Sequence, residues 1–213
     1  MSDERGLRYR LVVAARRLGA AGMNPGRSGN LSARVPGGFV ITPSGAPYGT
    51  LNPDDLVFLE PEGEHGGGQR RPSTEWRLHG TLYERDKATG AIVHTHSPYA
   101  TTLACLGRGI PAFHYEVAFA GGHDIRCAPY ATFGTPALSD RAAEALIDRK
   151  ACLLANHGAV AVGPTLEAAV ELAEKVESLA RLYWQALQVG EPKILDGAEM
   201  DRVLARFVDY GKD

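Results

Sequence analysis

The chain has 213 residues, of which 44% are hydrophobic and 23% charged, and a formal net charge of −2 from 23 basic and 25 acidic side chains. This composition suffices for a packed core and excludes a general electrostatic attraction to nucleic acid or to an anionic membrane. No apolar run approaches the ~20 residues that span a bilayer, the N-terminus is polar, and three scattered cysteines form no metal or disulfide pattern, so we expect a cytoplasmic protein without nucleic-acid or membrane partners.

The first third of the chain predicts one helix followed by short strands. Apolar residues at helical spacing predict a helix over Asp3–Ala21, and the glycine-containing stretch 22–30 predicts an irregular loop. Strands bounded by glycine, proline or aspartate are predicted at Leu31–Val35, Phe39–Thr42 and Leu56–Leu59. The glycine-rich stretch Pro61–Pro72 predicts a loop that is too short to separate two domains.

Helices and strands alternate in the rest of the chain. Ser73 is the candidate N-cap of a helix that carries Glu75 in its first turn. Strands are predicted at Ala91–Thr95, Tyr115–Phe119, Cys152–Ala155 and Ala159–Val162. Further helices are predicted from Ser97 to about Leu106, from Thr135 to about Arg149, over Thr165–Val189 and over Gly197–Tyr210. The absence of repeats and composition shifts predicts a single α/β domain over residues 1–213.

Three histidines and one glutamate are candidate metal ligands. His94 and His96 are two apart in a predicted strand, so their imidazoles face one side and can converge on a metal, although the pattern also fits a polar strand end. His157 follows an apolar strand, where sites in α/β folds gather, but a histidine taken alone is more often structural than a ligand. Glu75 is the candidate fourth ligand, with the helix dipole as the other reason for an acid there.

Short turns in three places can face a phosphate. They combine hydroxyl or amide side chains with turn backbone, in Ser28-Gly29-Asn30, Thr42-Pro43-Ser44-Gly45 and Ser73-Thr74. None has the spacing of a nucleotide-binding glycine loop, and each alone is an ordinary turn. Any function must therefore come from their combination.

Five collinear motifs together resemble the class II aldolase/adducin family, and within it the aldolases that cleave L-fuculose 1-phosphate. The motifs are Ser28–Ser32, Ile41–Gly45, Pro72–Trp76, His94–His96 and Asn156–Gly158, joined by similar stretches between Phe113 and Thr135. The resemblance covers the chain from about residue 5 to Tyr210. It implies a three-layer α/β/α fold around a mainly antiparallel central sheet, and a homotetramer with active sites at the subunit interfaces.

The resemblance also implies roles for individual residues. One zinc ion per subunit is expected on Glu75, His94, His96 and His157, with Glu75 also acting as the catalytic base. Phosphate contacts are expected from Gly29, Asn30, Ser44, Gly45, Ser73 and Thr74. At the aldehyde end we expect catalytic Tyr115 from a neighbouring subunit, lined by Phe133 and Tyr210.

These roles agree with the chemistry of ketose 1-phosphate cleavage. Breaking the C3–C4 bond leaves negative charge that a zinc ion can stabilise, and a tyrosine is a suitable acid or base for the C4 hydroxyl. Two residues depart from the family pattern. Thr74 stands where the fuculose aldolases have serine, and Glu116 stands where an apolar residue is expected. A buried and unpaired Glu116 would be costly, so we expect it to meet a partner at an interface.

Several functions stay open at this point. An aldolase would release dihydroxyacetone phosphate and a short aldehyde such as L-lactaldehyde, or would instead cleave 5-deoxyribulose or 5-methylthioribulose 1-phosphate. A methylthioribulose-1-phosphate dehydratase shares the same ligands, whereas the ribulose 5-phosphate 4-epimerases of the family have aspartate in place of Glu75. A non-enzymatic adducin-like module would need none of the ligands. His79, one turn after Glu75, either supports the site or fills the core.

Overall fold

The computed structural model describes residues 2–60, 63 and 70–207. Its helices are α1 (Ser2–Ala20), α2 (Trp76–Arg85), α3 (Pro98–Cys105), α4 (Pro136–Ala145), α5 (Leu166–Val189) and α6 (Gly197–Phe207). Its strands are β1 (Asn30–Val35), β2 (Gly38–Ile41), β3 (Val57–Leu59), β4 (Ala91–Thr95), β5 (Arg126–Ala128), β6 (Ala151–Leu154) and β7 (Gly158–Gly163). Short 3-10 helices span Tyr48–Thr50, Pro53–Asp55 and Tyr115–Ala120.

Seven strands of the described chain form one sheet in the order β3-β2-β1-β4-β7-β6-β5. Neighbouring strands are antiparallel except for the pair β5 and β6, which is parallel. The prediction of a mainly antiparallel central sheet is therefore confirmed. In the register of this sheet, His94 lies opposite Asn30 of β1 on one side and Val160 of β7 on the other.

Helices cover both faces of the sheet, because successive strand residues alternate between two cores. Val93 of β4 belongs to the core shared with α1, α3 and α5, whereas its neighbour Ile92 belongs to the core shared with α2 and α4. The three-layer α/β/α fold in a single domain is thereby confirmed. By the same alternation, His94 faces the side of the sheet on which α2 lies, and α2 begins next to Glu75.

The segment after residue 114 is a 3-10 helix, so the prediction of a strand at Tyr115–Phe119 is wrong. The His114 ring accepts a hydrogen bond from the Glu116 N–H (3.3 Å), and Gly121 ends the helix at a φ of 90°. Glu116 is paired within the chain, because Lys175 of α5 donates a hydrogen bond to its carboxylate at 3.0 Å, and its expected interface partner stays a prediction. The alternation of apolar residues that suggested a strand therefore comes from a short helix with one buried face.

Most other boundaries of helices and strands lie close to the predicted ones, but three predictions need correction. Strand β5 was not predicted. Helix α4 ends at Ala145 rather than near Arg149. Helix α2 begins at Trp76, so Glu75 rather than Ser73 holds the N-cap position. Tyr210 and most of the stretch Pro61–Pro72 lie outside the described residues. Within the part of the chain that is described, no helix is both long and apolar enough to cross a membrane.

Candidate metal centre and substrate cavity

The predicted metal ligands converge at one end of the sheet. His94 lies in β4 and His96 directly follows it, His157 lies in the turn from β6 to β7, and Glu75 holds the N-cap position of α2. One ligand atom from each of the four side chains lies within 4.8 Å of the others. Residues up to 82 positions apart in the chain therefore form a single cluster, counted from Glu75 to His157.

A glycine allows the two histidine-bearing segments to approach each other. A Cβ atom on Gly158 would lie 2.2 Å from the Thr95 carbonyl oxygen and 3.1 Å from the His96 ring. Any side chain at this position would push β7 away from β4. Close packing of the two strands therefore requires the glycine of the Asn156-His157-Gly158 motif, apart from any role of His157 in binding a metal.

The spacing of the donor atoms matches a tetrahedral metal site. Nε2 of His94 lies 3.0 Å from Nε2 of His96 and 3.1 Å from Oε2 of Glu75. Nε2 of His157 lies 3.2 Å from Oε1 of Glu75. Bonds of about 2.0–2.1 Å in tetrahedral geometry separate neighbouring donors by about 3.3–3.4 Å. Small outward movements of these side chains would accommodate one ion.

Hydrogen bonding also fits a cation at the centre of the cluster. The Nδ1–H of His94 donates to the Ala159 carbonyl at 3.0 Å, so Nε2 is the ring nitrogen directed into the cluster, where loss of its proton to a metal would free a lone pair. Oε1 of Glu75 is buried and has no hydrogen bond among the described residues. A buried carboxylate oxygen facing imidazole nitrogens needs a positive partner, and a divalent cation supplies one.

Burial and mutual charge set the protonation of the cluster. Burial, followed by the positive charge on His94, lowers the pKa of His96 to about 3 and that of His157 to about 4. Burial disfavours the charged carboxylate of Glu75, yet His94 and His157 outweigh this and lower its pKa. Burial likewise disfavours charge on His94, but the Glu75 carboxylate raises its pKa overall. His96 and His157 are therefore neutral at physiological pH, which is the form that binds metal.

A cavity of about 290 Å³ opens beside the cluster. Predicted residues that line it are Gly29, Asn30, Ser44, Gly45, Ser73, Thr74, Glu75, His96, Phe133 and His157. Sequence reasoning singled out none of the following lining residues individually: Arg27, Ser28, Pro43, Tyr130, Ala131 and Asn156. Five of these lie within the motifs or the stretch between Phe113 and Thr135 that carry the resemblance, but Arg27 lies outside them and carries no local pattern that would mark it as a binding residue.

Two segments form the polar floor of this cavity by pairing with each other. The Ser44 N–H donates to the Arg71 carbonyl at 3.0 Å, and the Ser73 N–H donates to the Thr42 carbonyl at 3.2 Å. The Ser73 hydroxyl oxygen accepts a hydrogen bond from the Glu75 N–H at 3.3 Å, which leaves its own proton free to donate. Hydroxyl donors and turn backbone are thus held together next to the metal cluster, as a phosphate group requires.

Gly29 holds the third turn against the cluster. Its φ is +73°, and a Cβ atom there would lie 2.4 Å from Oδ1 of Asn24 and 2.7 Å from the His94 carbonyl oxygen. A side chain is therefore excluded both by backbone conformation and by space. The turn positions Asn30, whose Nδ2 donates to Oε2 of Glu75 at 3.0 Å.

Among the predicted residues of the aldehyde end, Tyr115 lies apart from the cavity of its own chain. Tyr115 does not line it; its ring is 50% exposed and stacks on His114 at a centroid distance of 4.8 Å. Tyr210 lies outside the described residues. Phe133 does line the cavity, but its side chain is 64% exposed on the rim. The metal and phosphate ends of the predicted site are therefore assembled within one chain, and the aldehyde end is open.

Comparison with known proteins places the chain among aldolases. The family described as Class II Aldolase and Adducin N-terminal domain matches residues 9–184. The chain is 54% identical to the 5-methylthioribulose-1-phosphate/5-deoxyribulose-1-phosphate aldolase of Rhodospirillum rubrum, covering 96% of this chain and 92% of that protein. It is 45% identical to the L-fuculose phosphate aldolase of Escherichia coli K12, covering 89% and 88%. A solved L-fuculose 1-phosphate aldolase superposes with a TM-score of 0.92 at 38% identity, covering 95% and 96%.

Proposed function

The chain belongs to the class II aldolase and adducin family and is a metal-dependent aldolase, and from that premise we propose that its substrate is 5-deoxyribulose 1-phosphate or 5-methylthioribulose 1-phosphate. Cleavage of the C3–C4 bond in these ketoses releases dihydroxyacetone phosphate and a two-carbon aldehyde, acetaldehyde or its methylthio derivative. The observation that carries this proposal is the similarity to the Rhodospirillum rubrum enzyme, which acts on both compounds and spans nearly the same length.

The rim of the cavity supports a substrate with an apolar tail. Tyr130 and Phe133 line the side of the cavity that is open to solvent, with 55% and 64% of their side chains exposed. Aromatic rings contact methyl groups favourably, and contacts between sulfur and aromatic rings are favourable as well. A methyl or methylthio tail would therefore cover these rings.

L-fuculose 1-phosphate is the second candidate substrate, with L-lactaldehyde as the second product. The close superposition on a fuculose aldolase and the 45% identity to the Escherichia coli enzyme favour it. The two candidates differ at the aldehyde end, where L-fuculose 1-phosphate carries an extra hydroxyl-bearing carbon. The exposed aromatic rings of Tyr130 and Phe133 favour the candidates with an apolar tail.

We propose that the metal is zinc, one ion per subunit, held by His94, His96, His157 and Glu75. Three imidazole nitrogens and one carboxylate oxygen form a donor set that zinc prefers in tetrahedral sites. When bound, the ion supplies Lewis-acid stabilisation of the negative charge that cleavage leaves on the dihydroxyacetone phosphate half.

The protein side chains bind the substrate and move its protons. In this proposal Asn30, Ser44, Ser73 and Thr74, with the backbone of Gly29 and Gly45, hold the phosphate. As the C3–C4 bond breaks, its electron pair stays with C3 and the C4 hydroxyl loses its proton to become the aldehyde. Tyr115 takes that proton and releases it to solvent, and Glu75, after taking up a proton from solvent, delivers it to C3, so the proton count balances.

We also propose a homotetramer in which Tyr115 reaches the cavity of a neighbouring subunit. Its half-exposed ring and its position outside the cavity of its own chain support this arrangement. The whole chain, residues 1–213, would act as one domain. A cytoplasmic location agrees with the three free cysteines. Light scattering of the purified protein tests the assembly, and a mass close to 22.8 kDa would contradict it.

A coupled assay for dihydroxyacetone phosphate tests the substrate. The metal-loaded protein is given 5-deoxyribulose, 5-methylthioribulose and L-fuculose 1-phosphate side by side. We expect the highest kcat/KM for one of the two ribulose compounds. A higher value for L-fuculose 1-phosphate would move the assignment to the second candidate.

Two controls complete this assay. The substitution His94→Gln should abolish release, whereas His123→Gln, at an exposed histidine paired with Asp201 away from the cavity, should not. Consumption of 5-methylthioribulose 1-phosphate without dihydroxyacetone phosphate would indicate a dehydratase.

A further inference from the structure

A second, wholly buried set of polar side chains lies behind the metal cluster. Glu75, His79 and Tyr83 follow one another at intervals of four residues, so their side chains project from one face of α2. Glu75 is at the N-cap position, and the other two lie within the helix. Asn30 and Ser32 are two apart on β1 and also share a face. These two faces lie against each other, so the side chains interleave.

Hydrogen bonds connect these five side chains into one chain. Nδ2 of Asn30 lies 3.0 Å from Oε2 of Glu75, and Oδ1 of Asn30 lies 2.5 Å from Nε2 of His79. Nδ1 of His79 lies 2.6 Å from Oγ of Ser32, which lies 2.8 Å from the Tyr83 hydroxyl. No member is more than 6% exposed, and both His79 and Ser32 are 0% exposed.

The donors and acceptors in this chain can be assigned from one end. The Glu75 carboxylate only accepts, so the Asn30 amide must turn its NH₂ group toward it and its oxygen toward His79. That oxygen also only accepts, so Nε2 of His79 must carry a proton. A buried imidazole with no carboxylate in hydrogen-bond contact is neutral, so its Nδ1 accepts from Ser32. The Ser32 oxygen then accepts from Tyr83.

We propose that His79, Ser32 and Tyr83 are positioning residues that fix the direction of the Asn30 amide. The functional consequence of this fixed direction rests on the proposed function, in which Asn30 contacts the substrate phosphate. With the amide fixed, one N–H of Asn30 is directed at Glu75 and the other is available to the cavity that Asn30 lines. With the amide reversed, its oxygen would face the carboxylate and the cavity would lose a donor.

The far end of the chain is anchored outside the site. The Tyr83 ring packs against Phe39 at a centroid distance of 5.2 Å, and the Arg34 guanidinium lies 4.7 Å above it. Arg34 in turn donates to the Tyr83, Asp86 and Thr89 carbonyls at 2.8, 3.1 and 2.9 Å. The far end of the chain is therefore held in place by the fold, while the Glu75 carboxylate sets the direction of the hydrogen bonds.

A purely structural role predicts a different pattern of hydrogen bonds. A histidine that only filled space would need no fixed tautomer, and either orientation of Asn30 would suffice. The carboxylate at one end removes this freedom, because every other arrangement leaves two acceptors or two donors facing each other in a buried place. The Asn30 amide would then already be oriented to donate to phosphate before the substrate arrives, which reduces the free-energy cost of ordering the site on binding.

Nitrogen NMR of the histidine rings in the wild-type protein tests the proton assignment directly. Signals of His79 are identified by their loss in His79→Gln. At neutral pH we expect Nε2 of His79 to be protonated and Nδ1 unprotonated. A ring protonated at Nδ1 alone, or at both nitrogens, would overturn the proposal. This result does not depend on any enzymatic activity, so it remains decisive if the proposed function fails.

Two variants of His79 test the consequence for the site, with inorganic phosphate as the probe. His79→Met fills the space without hydrogen bonds, whereas His79→Gln keeps an N–H donor for Asn30. We expect His79→Met to weaken inhibition by inorganic phosphate and to raise the KM for the ketose 1-phosphate by about tenfold. This is the effect of losing one hydrogen bond to a charged group. His79→Gln should recover most of this loss, and both variants should keep the bound metal.

The outcomes separate positioning from folding and from the proposed function. Equal phosphate affinity in wild type and His79→Met would overturn the positioning role, as would equal losses in both His79 variants. Tyr83→Phe, which removes only the last hydroxyl, provides a milder variant if His79→Met does not fold, and we expect a rise in KM of about twofold. A wild-type protein that neither binds phosphate nor releases dihydroxyacetone phosphate would contradict the proposed function instead.

Discussion

The metal end and the aldehyde end of the predicted site are built in opposite ways. The four predicted metal ligands lie in or at the ends of packed strands and of α2, and their ligand atoms lie within 4.8 Å of one another: His94, His96, His157 and Glu75. Tyr115 lies on a short 3-10 helix with half of its ring exposed, outside the cavity of its own chain. The first end is therefore assembled within one chain, and in the proposed tetramer a neighbouring subunit would complete the second.

This difference separates what each part of the fold contributes. The sheet supplies rigid positions for charge and for metal ligands, where displacements of a few tenths of an ångström matter. In the proposed function, the exposed segment would supply groups that contact the variable aldehyde half of the substrate. Substitutions at the metal end should therefore abolish activity, and those at the aldehyde end should reduce it or change its specificity.

The largest effect is expected at the metal ligands. His94→Ala removes the innermost imidazole and leaves Glu75 without its shortest ligand contact, at 3.1 Å. We expect loss of bound metal and a fall in kcat/KM of at least about a thousandfold, since metal catalysis supplies several kcal/mol. Elemental analysis and the coupled assay measure both. A variant that lost the metal and kept its activity would refute a metal-dependent mechanism.

A smaller effect is expected for Glu75→Gln. The amide keeps the size of the side chain and the contact with Asn30, but it cannot carry a proton to C3. We expect kcat to fall by about two to three orders of magnitude, with KM nearly unchanged. Steady-state kinetics on metal-saturated protein measure this. A fall in kcat of less than tenfold would assign the proton transfer to another group.

The sequence predicted the metal end well for physical reasons. Two histidines two residues apart in a strand share a face, and the ligand atoms of His94, in β4, and His96, directly after it, do lie together. His157 and Glu75 come from distant segments, so only the resemblance linked them to the first two. The strand wrongly predicted at Tyr115 shows the limit of periodicity, because an apolar run of six residues fits a short helix as well as a strand.

Arg27, by contrast, had no sequence signal at all. It becomes a cavity residue only when the turn at Gly29 folds back against His94. The hydrogen-bonded chain through His79 and Ser32 likewise depends on the pairing of β1 with α2. Local patterns reveal which residues share a face, and the tertiary fold decides which faces meet.

At the aldehyde end, Tyr115→Phe should lower kcat by about a hundredfold, because it removes a proton-transferring group. Mixing Tyr115→Phe subunits with His94→Ala subunits then tests where the tyrosine acts. If it acts across an interface, randomly mixed tetramers regain activity at about a quarter of their sites. A mixture as inactive as its parents would place Tyr115 in the site of its own chain or outside the reaction.

Low pH should destabilise the folded protein because His79 is buried as a neutral imidazole. Burial, and then the charge on His94, lower the pKa of His79 to about 3, below the 6.5 of an ordinary histidine. The unfolded chain therefore binds a proton that the folded chain does not, and stability is lost as pH falls below about 6.5. At pH 5 this loss is about 2 kcal/mol relative to pH 7.

Denaturant unfolding of the wild type and of His79→Gln measures this loss. The variant lacks the titrating ring, so its free energy of unfolding should fall less between pH 7 and pH 5. His123→Gln, at an exposed histidine, should behave as the wild type. Identical pH dependence in wild type and His79→Gln would contradict the burial argument.

The smallest effect is expected at Arg27, which lines the cavity and is exposed. Arg27→Gln removes a positive charge near the proposed phosphate position, where solvent screens its field. We expect KM to rise by about threefold at low salt and the difference to shrink as salt is added. A kcat that fell while KM stayed constant would assign Arg27 a different role.

Removal and return of the metal tests the central claim most directly. The wild-type protein is treated with a chelator, dialysed and assayed for release of dihydroxyacetone phosphate from 5-deoxyribulose 1-phosphate before and after addition of one equivalent of zinc. We expect release to disappear with the metal and to return with stoichiometric zinc. Undiminished release from protein shown to contain no metal would contradict a cluster of three histidines and Glu75 as the catalytic centre.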